Sequence, residues 1–126
     1  MQIQWTAWAT IAALLVYLWT IYKVAVARGK YKVHAPSVDG PPEFMRAMRV
    51  QLNTVEQIIL FLPALWMCGY LLGDRWAGLG GAVWVLGRVL YALGYYRDAR
   101  KRSIGFTVTL LASLGLLAGT AIGLLR

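Results

Sequence analysis

The sequence predicts an all-α integral membrane protein, a bundle of four helices that forms a single domain over residues 1–126. Apolar residues make up 60% of the chain and charged residues 14%. Soluble domains usually carry about 45–50% apolar and about 25% charged residues. The apolar residues also fall into four blocks, each close to the ~20 residues that a helix needs to cross a bilayer. Because lipid cannot satisfy backbone polar groups, segments of this kind cross as helices.

The four predicted spans cover residues 5–22, 47–72, 76–97 and 104–125. No basic residue precedes the first span and Lys23 follows it, which is the wrong polarity for a cleaved signal peptide. One long connection, from Lys23 to about Phe44, and two short ones are expected to join the spans. The fourth span carries a strip of small residues spaced by four, Gly115, Gly119 and Gly123. Such a strip permits close helix contact, either within the chain or with a second subunit.

The charges predict an orientation in the membrane. Lys and Arg total 13 against five acids, a net charge of +8. In a soluble protein this excess would suggest nucleic acid, but here the bases lie between apolar blocks and no nucleic-acid partner is expected. They concentrate in two connections, at Lys23, Arg28, Lys30 and Lys32, and at Arg97, Arg100, Lys101 and Arg102. Basic connections stay cytoplasmic, so both termini are expected on the opposite side.

Polar residues inside the two middle spans are the candidate functional site. A charged side chain near the bilayer centre costs ~2.5–3.5 kcal/mol on insertion scales, and such residues usually mark function. The second span carries Arg46, Arg49, Asn53 and Glu56, and the third carries Arg88, Tyr91 and Tyr95. Spacings of three and four place each set on one helix face. The second line continues to Arg102 if the helix persists that far.

Two interpretations of these residues remain open. Glu56 and Arg88 could form a buried ion pair that has no ligand. Alternatively, the arginines bind carboxylates through bidentate hydrogen bonds, and Glu56 binds an ammonium group. The second interpretation implies a small zwitterion with more than one carboxylate, for which glutathione is one candidate. A lipophilic second substrate would then arrive from the membrane lipid.

The motif residues resemble those of the MAPEG family, the membrane-associated proteins of eicosanoid and glutathione metabolism. The resemblance rests on the run Gly40-Pro41-Pro42-Glu43-Phe44, on the polar stripe that follows it, and on Arg88, Tyr91, Gly94 and Tyr95. It implies a homotrimer that binds glutathione, as co-substrate, between neighbouring subunits. The basic connections place this site toward the cytoplasm, and with one cysteine, one histidine and five acids no metal is expected. The glutathione-binding residues that the resemblance implies are Arg28, Arg49, Gln51, Asn53, Glu56, Arg88, Tyr91 and Tyr95.

The resemblance also implies that Arg102 faces the glutathione thiol and is the catalytic residue. A free thiol has a pKa of about 8.5, so only a few per cent is thiolate at neutral pH. A nearby guanidinium favours the anion, and arginine cannot itself take the proton. Two residues depart from the leukotriene-forming members, which carry a second arginine where Gly29 stands and a tyrosine where Gln57 stands. Leukotriene synthesis is therefore not expected.

The predicted function is a membrane-bound glutathione transferase that conjugates lipophilic electrophiles, with reduction of lipid hydroperoxides as a candidate second activity. One alternative is a family member that binds lipophilic ligands without catalysis. The other is a small four-span exporter. Such exporters place an essential acid in the first membrane helix, whereas the first span here has no charge.

Overall fold

The structure is a computed structural model that describes residues 2–126. Its four long helices are α1 (Gln4–Tyr31), α2 (Pro42–Leu71), α3 (Asp74–Arg97) and α4 (Ser103–Leu125), and a 3₁₀ turn over Ala99–Arg102 joins α3 to α4. The helices α1, α2 and α3 are each long and apolar enough to cross a membrane, and so is α4 when it is taken together with the 3₁₀ turn. The prediction of an all-helical protein with four helices that can span a membrane is therefore confirmed.

The helix α1 is longer than its apolar block, because it continues through Lys23 and Arg28 to Tyr31. Its 28 residues extend over about 42 Å at 1.5 Å per residue, against about 30 Å of hydrocarbon. Arg28 and Lys30 lie in its last turn, where cations interact favourably with the carbonyl end of a helix. The predicted connection from Lys23 to about Phe44 was therefore too long, since α2 already begins at Pro42.

The core lies where the four helices meet in the middle of the bundle. Phe61 of α2 stacks on Trp84 of α3, with ring centroids 4.2 Å apart and planes 9° from parallel. Small residues let α1 approach its neighbours: a Cβ at Gly69 would come within 2.6 Å of the Thr6 hydroxyl. A Cβ at Gly81 would likewise come within 2.5 Å of the Ala9 side chain, so α1 packs closely against both α2 and α3, which carry the candidate site at their other ends.

Two of the three small residues on α4 serve packing within the chain. A Cβ at Gly119 would meet Leu72 at 3.0 Å, and one at Gly123 would overlap the backbone of Leu71. Gly115 has no neighbouring atom within 4 Å. The strip therefore packs α4 against the end of α2 over most of its length.

Asp74 links the start of α3 to the start of α1, at the end of the bundle that lies away from the two basic connections. Its carboxylate accepts hydrogen bonds from the Trp5 amide at 3.0 Å, the Thr6 amide at 2.8 Å and the Thr6 hydroxyl at 2.7 Å. The first amides of a helix have no partner within the helix. Asp74 thus caps α1 from the start of α3 and ties the two helices together.

Candidate functional site: a polar cavity at the basic end of the bundle

A cavity of about 490 Å³ opens where α2, α3 and α4 meet near the third connection. Its lining residues are Arg49, Asn53, Tyr91, Tyr95, Arg102, Ser103, Phe106 and Thr107. Ligand cavities in proteins commonly measure about 300–1,000 Å³. The lining contains two guanidinium groups and no carboxylate, so the cavity suits an anionic ligand. A cavity of about 560 Å³ between α1 and α3 is lined almost entirely by apolar side chains and has no titratable group.

Five residues that the sequence predicted for the site come together in this cavity. Arg49 and Asn53 lie one turn apart on α2. Tyr91 and Tyr95 lie one turn apart on α3, with ring centroids separated by 5.6 Å. Arg102 reaches the cavity from the connection to α4. The periodicity of both polar stripes is therefore preserved where the helices are regular.

The path of the chain to Arg102 differs from the sequence prediction, because α3 does not persist that far. It ends at Arg97, and Asp98 adopts an extended conformation with φ −161° and ψ 128°. The Asp98 carboxylate then accepts a hydrogen bond from the Arg100 amide at 3.0 Å and forms an ion pair with the Arg100 guanidinium at 3.1 Å. The bonds from the Arg100 amide and side chain lower the pKa of the Asp98 carboxyl. Asp98 thus starts the 3₁₀ turn that carries Arg102.

Gly94 allows this turn to fold back on the last turn of α3. A Cβ at this position would overlap the carbonyl group of Lys101. The close approach places the Arg102 guanidinium carbon 5.7 Å from the centre of the Tyr95 ring. Arg102 also donates a hydrogen bond to the Ala99 carbonyl, which holds its side chain against the turn.

Arg88 lies behind the cavity wall and does not line the cavity. Its side chain is fully buried, and its Nη2 donates a hydrogen bond of 2.8 Å to Oδ1 of Asn53. The guanidinium carbon lies 3.9 Å from the centre of the Tyr91 ring. The ion pair with Glu56, which the sequence left open, is absent: between residues 2 and 126 the one salt bridge joins Asp98 and Arg100.

Three other predicted residues lie outside this cavity. Arg28 donates hydrogen bonds to the carbonyls of Ser37 at 2.8 Å and Val33 at 3.3 Å, so it holds the first connection. Glu56 is exposed on the surface of α2, and Gln51 is half-buried. A single chain does not bring these three side chains to the other site residues.

Sequence reasoning missed three lining residues, all from the start of α4. Ser103, Phe106 and Thr107 complete the cavity wall opposite α2. Their spacing of three and four, beginning directly after Arg102, puts them on one face of α4 and is a signal that could have identified them. Gly105, on another side of α4, lets this helix approach α3 closely, since a Cβ there would overlap the backbone of Tyr91.

The fold and the cavity define the class of protein: a four-helix protein of membrane-spanning type with an open polar cavity, lined by two guanidinium groups, between its last three helices. Comparison with known sequences gives the family. The sequence model of the MAPEG family matches residues 6–122, and the chain belongs to this family. The resemblance that the motif residues indicated is therefore confirmed.

Three relatives illustrate the range of the family. An uncharacterized protein of Synechocystis sp. is 42% identical over 124 residues, which is 98% of this chain and 90% of that protein. Human microsomal glutathione S-transferase 2 is 45% identical over 96 residues, 76% of this chain and 63% of the human protein. Bovine leukotriene C4 synthase is 35% identical over 116 residues, 92% of this chain and 77% of the bovine protein.

Proposed function

We propose that the protein is a membrane-bound glutathione transferase, which joins glutathione to lipophilic electrophiles. The observation that carries this proposal is the cavity itself, where Arg49, Arg102 and Tyr95 converge at the end of a membrane-spanning bundle. Guanidinium groups bind carboxylates and thiolates through charge-assisted hydrogen bonds. The family, and the resemblance to human microsomal glutathione S-transferase 2, support glutathione as the co-substrate.

Arg102 is the residue proposed to activate the thiol. A cation within hydrogen-bond reach of the sulfur stabilises the thiolate, and each unit by which the thiol pKa falls corresponds to about 1.36 kcal/mol. The proton leaves to water at the basic end of the bundle. The thiolate then attacks the electrophilic carbon: a carbon–sulfur bond forms, and the leaving group departs or an epoxide oxygen takes up a proton. The electrophile reaches the sulfur from the surrounding lipid.

Reduction of lipid hydroperoxides is proposed as a second reaction of the same thiolate. The sulfur attacks the peroxide oxygen, the oxygen–oxygen bond breaks, and the lipid leaves as its alcohol. The resulting sulfenic acid reacts with a second glutathione, which gives glutathione disulfide and water. Neither reaction requires a metal, and residues 2–126 contain no group of three or more His, Cys, Asp or Glu side chains that could hold one.

We further propose that the functional unit is a homotrimer with a glutathione site between neighbouring subunits. Glu56 supports this arrangement, since it is exposed well inside a membrane span and residues 2–126 provide no basic partner for it. An uncovered carboxylate in lipid is costly, whereas a neighbouring subunit could cover it. Arg28 and Gln51, which also lie outside the cavity of their own chain, are proposed to complete a neighbour's site. The basic end is proposed to face the cytoplasm, with both termini on the opposite side.

The proposal is tested with the purified protein in detergent. Addition of glutathione is expected to produce the ultraviolet absorbance of a thiolate, and a panel of electrophiles and lipid hydroperoxides is expected to be turned over. Arg102→Ala should abolish the thiolate signal and largely retain glutathione binding. Lys101→Ala removes a charge from the same turn outside the cavity and serves as the matched control.

Each alternative predicts a different result in this experiment. Glutathione or lipid binding without a thiolate signal or turnover would identify a non-catalytic binding protein. Proton-coupled transport in vesicles without glutathione binding would identify an exporter. Unchanged turnover in Arg102→Ala would refute the proposed role of that residue.

A further inference from the structure

Arg88 is a buried cation whose polar contacts all lead to the cavity wall. Its relative exposure is 0%, and its one hydrogen bond goes to Asn53. Its guanidinium packs under the ring of Tyr91, which is itself 2% exposed. The Nε and Nη1 atoms of Arg88 are buried without a hydrogen-bond partner. Arg88 therefore contacts two residues that line the cavity, although it does not line the cavity itself.

The bond from Arg88 determines which way the Asn53 amide points. An arginine side chain has five N–H donors and no acceptor, whereas an asparagine amide has one oxygen and one amino group. The atom that faces Arg88 must therefore be the amide oxygen, as the distance of 2.8 Å between Nη2 and Oδ1 indicates. The amino group of the same amide makes no bond to Arg88. It can therefore donate a hydrogen bond to a ligand in the cavity, which Asn53 lines.

The rest of the lining agrees with a donor at this position. Arg49 and Arg102 present N–H groups, the tyrosine and α4 hydroxyls can donate, and no acidic residue lines the cavity. With the amino group of Asn53 turned inward, the wall formed by α2 offers donors from two successive turns. A carboxylate or a peptide carbonyl fits such a wall, whereas an ammonium group does not.

We propose that Arg88 is a positioning residue: it holds the Asn53 amide with its amino group toward the cavity, and Asn53 binds a carboxylate or carbonyl oxygen of the ligand. This inference rests on the proposed function, because glutathione is the ligand whose carboxylate or carbonyl oxygen Asn53 would bind. It differs from the role that the family resemblance implies for Arg88, since Arg88 here acts on the ligand only through Asn53 and Tyr91.

Two substitutions of Asn53 test the orientation of the amide. The dissociation constant of glutathione is measured by titration calorimetry on the detergent-solubilised protein. Asn53→Ala removes one hydrogen bond to a charged or polar oxygen and should weaken binding about tenfold. Asn53→Asp keeps an acceptor for Arg88 but places a carboxylate where the amino group was, so binding should weaken at least tenfold further. Binding of Asn53→Asp as tight as that of the wild type would overturn the proposal.

A double-substitution cycle tests whether Arg88 acts through Asn53. Arg88→Gln alone should weaken glutathione binding about as much as Asn53→Ala does. In the Asn53→Ala background, the same substitution should change the dissociation constant less than twofold, because residues that act as one unit are not additive. A full additional loss in that background would show that Arg88 touches the ligand itself. Arg97→Gln is the control, since Arg97 is the exposed last residue of α3 and does not line the cavity.

A ligand-free measurement separates this inference from the proposed function. The thermal unfolding midpoints of the wild type, Asn53→Ala, Arg88→Gln and the double variant should show coupling between Arg88 and Asn53 in the absence of glutathione. If the wild type binds no glutathione, the proposed function fails, and the coupling alone decides on the Arg88–Asn53 contact. Independent shifts in the midpoint would overturn the inference in either case. If Arg88→Gln does not fold, Arg88→Lys replaces it, and the Asn53→Asp experiment remains decisive.

Discussion

Gly94→Ala is expected to separate catalysis from binding, because Gly94 determines where Arg102 lies. A Cβ at this position would overlap the Lys101 carbonyl, whereas ordinary contacts of a Cβ lie at about 3.4–4 Å. The 3₁₀ turn must therefore move by about 1 Å, and the Arg102 guanidinium moves with it. A displacement of about 1 Å of a catalytic group can cost about 100-fold in rate. We expect kcat to fall by 10- to 100-fold.

The assay is steady-state conjugation with glutathione as the varied substrate, together with the ultraviolet signal of the thiolate. KM for glutathione should change less than threefold, because Arg49 and Asn53 lie on α2 and do not depend on the turn. Gly115→Ala is the matched control, since no atom lies within 4 Å of the added methyl group. A Gly94→Ala protein with the kcat and thiolate signal of the wild type would refute the argument that this close approach positions Arg102.

Three further predictions concern binding, stability and pH. Arg49→Ala should raise the glutathione KM by one to two orders of magnitude with a smaller change in kcat, because a charge-assisted bond is worth about 1.5–3 kcal/mol; an unchanged KM would remove Arg49 from the site. Asp74→Ala should lower the free energy of unfolding in detergent by about 1–3 kcal/mol through loss of the α1 cap, and should leave the kcat of the folded protein unchanged. The bonds of Asp98 stabilise the 3₁₀ turn above its ordinary pKa of about 3.9, and this stabilisation is lost as the pH falls through its lowered pKa in the folded protein. Asp98→Ala should therefore reduce the thiolate signal at neutral pH, and equal signals would contradict this role.

The regular parts of the fold could be predicted because they depend on length and period alone. Four apolar blocks of membrane length predict four spans, and residues three and four apart share a helix face. These two rules placed Tyr91 next to Tyr95 and Arg49 next to Asn53. They could not find the end of α1, since its last turns carry bases, and basic residues after an apolar block resemble a connection.

The break between α3 and Arg102 could not be predicted from local pattern. The residue at the break is Asp98, which is not one of the usual helix breakers, proline and glycine. The polar line from Arg88 to Arg102 also continues in register with a helix. The break instead depends on two contacts that exist only in the folded chain. They are the bond of the Asp98 carboxylate to the Arg100 amide and the approach of the Lys101 carbonyl to Gly94. Short polar side chains compete for backbone donors in this way at helix ends.

The partners of Arg88 show why a polar stripe predicts a face but not a contact. Successive residues on a helix are about 100° apart, so Glu56 lies about 60° to one side of Asn53. Asn53 is the member of the stripe that faces α3 and bonds to Arg88. Glu56 is turned to the outer surface of the bundle, where it cannot neutralise Arg88. The cation therefore remains available to position the cavity wall, and the acid remains available to a neighbouring subunit, as the proposed trimer requires.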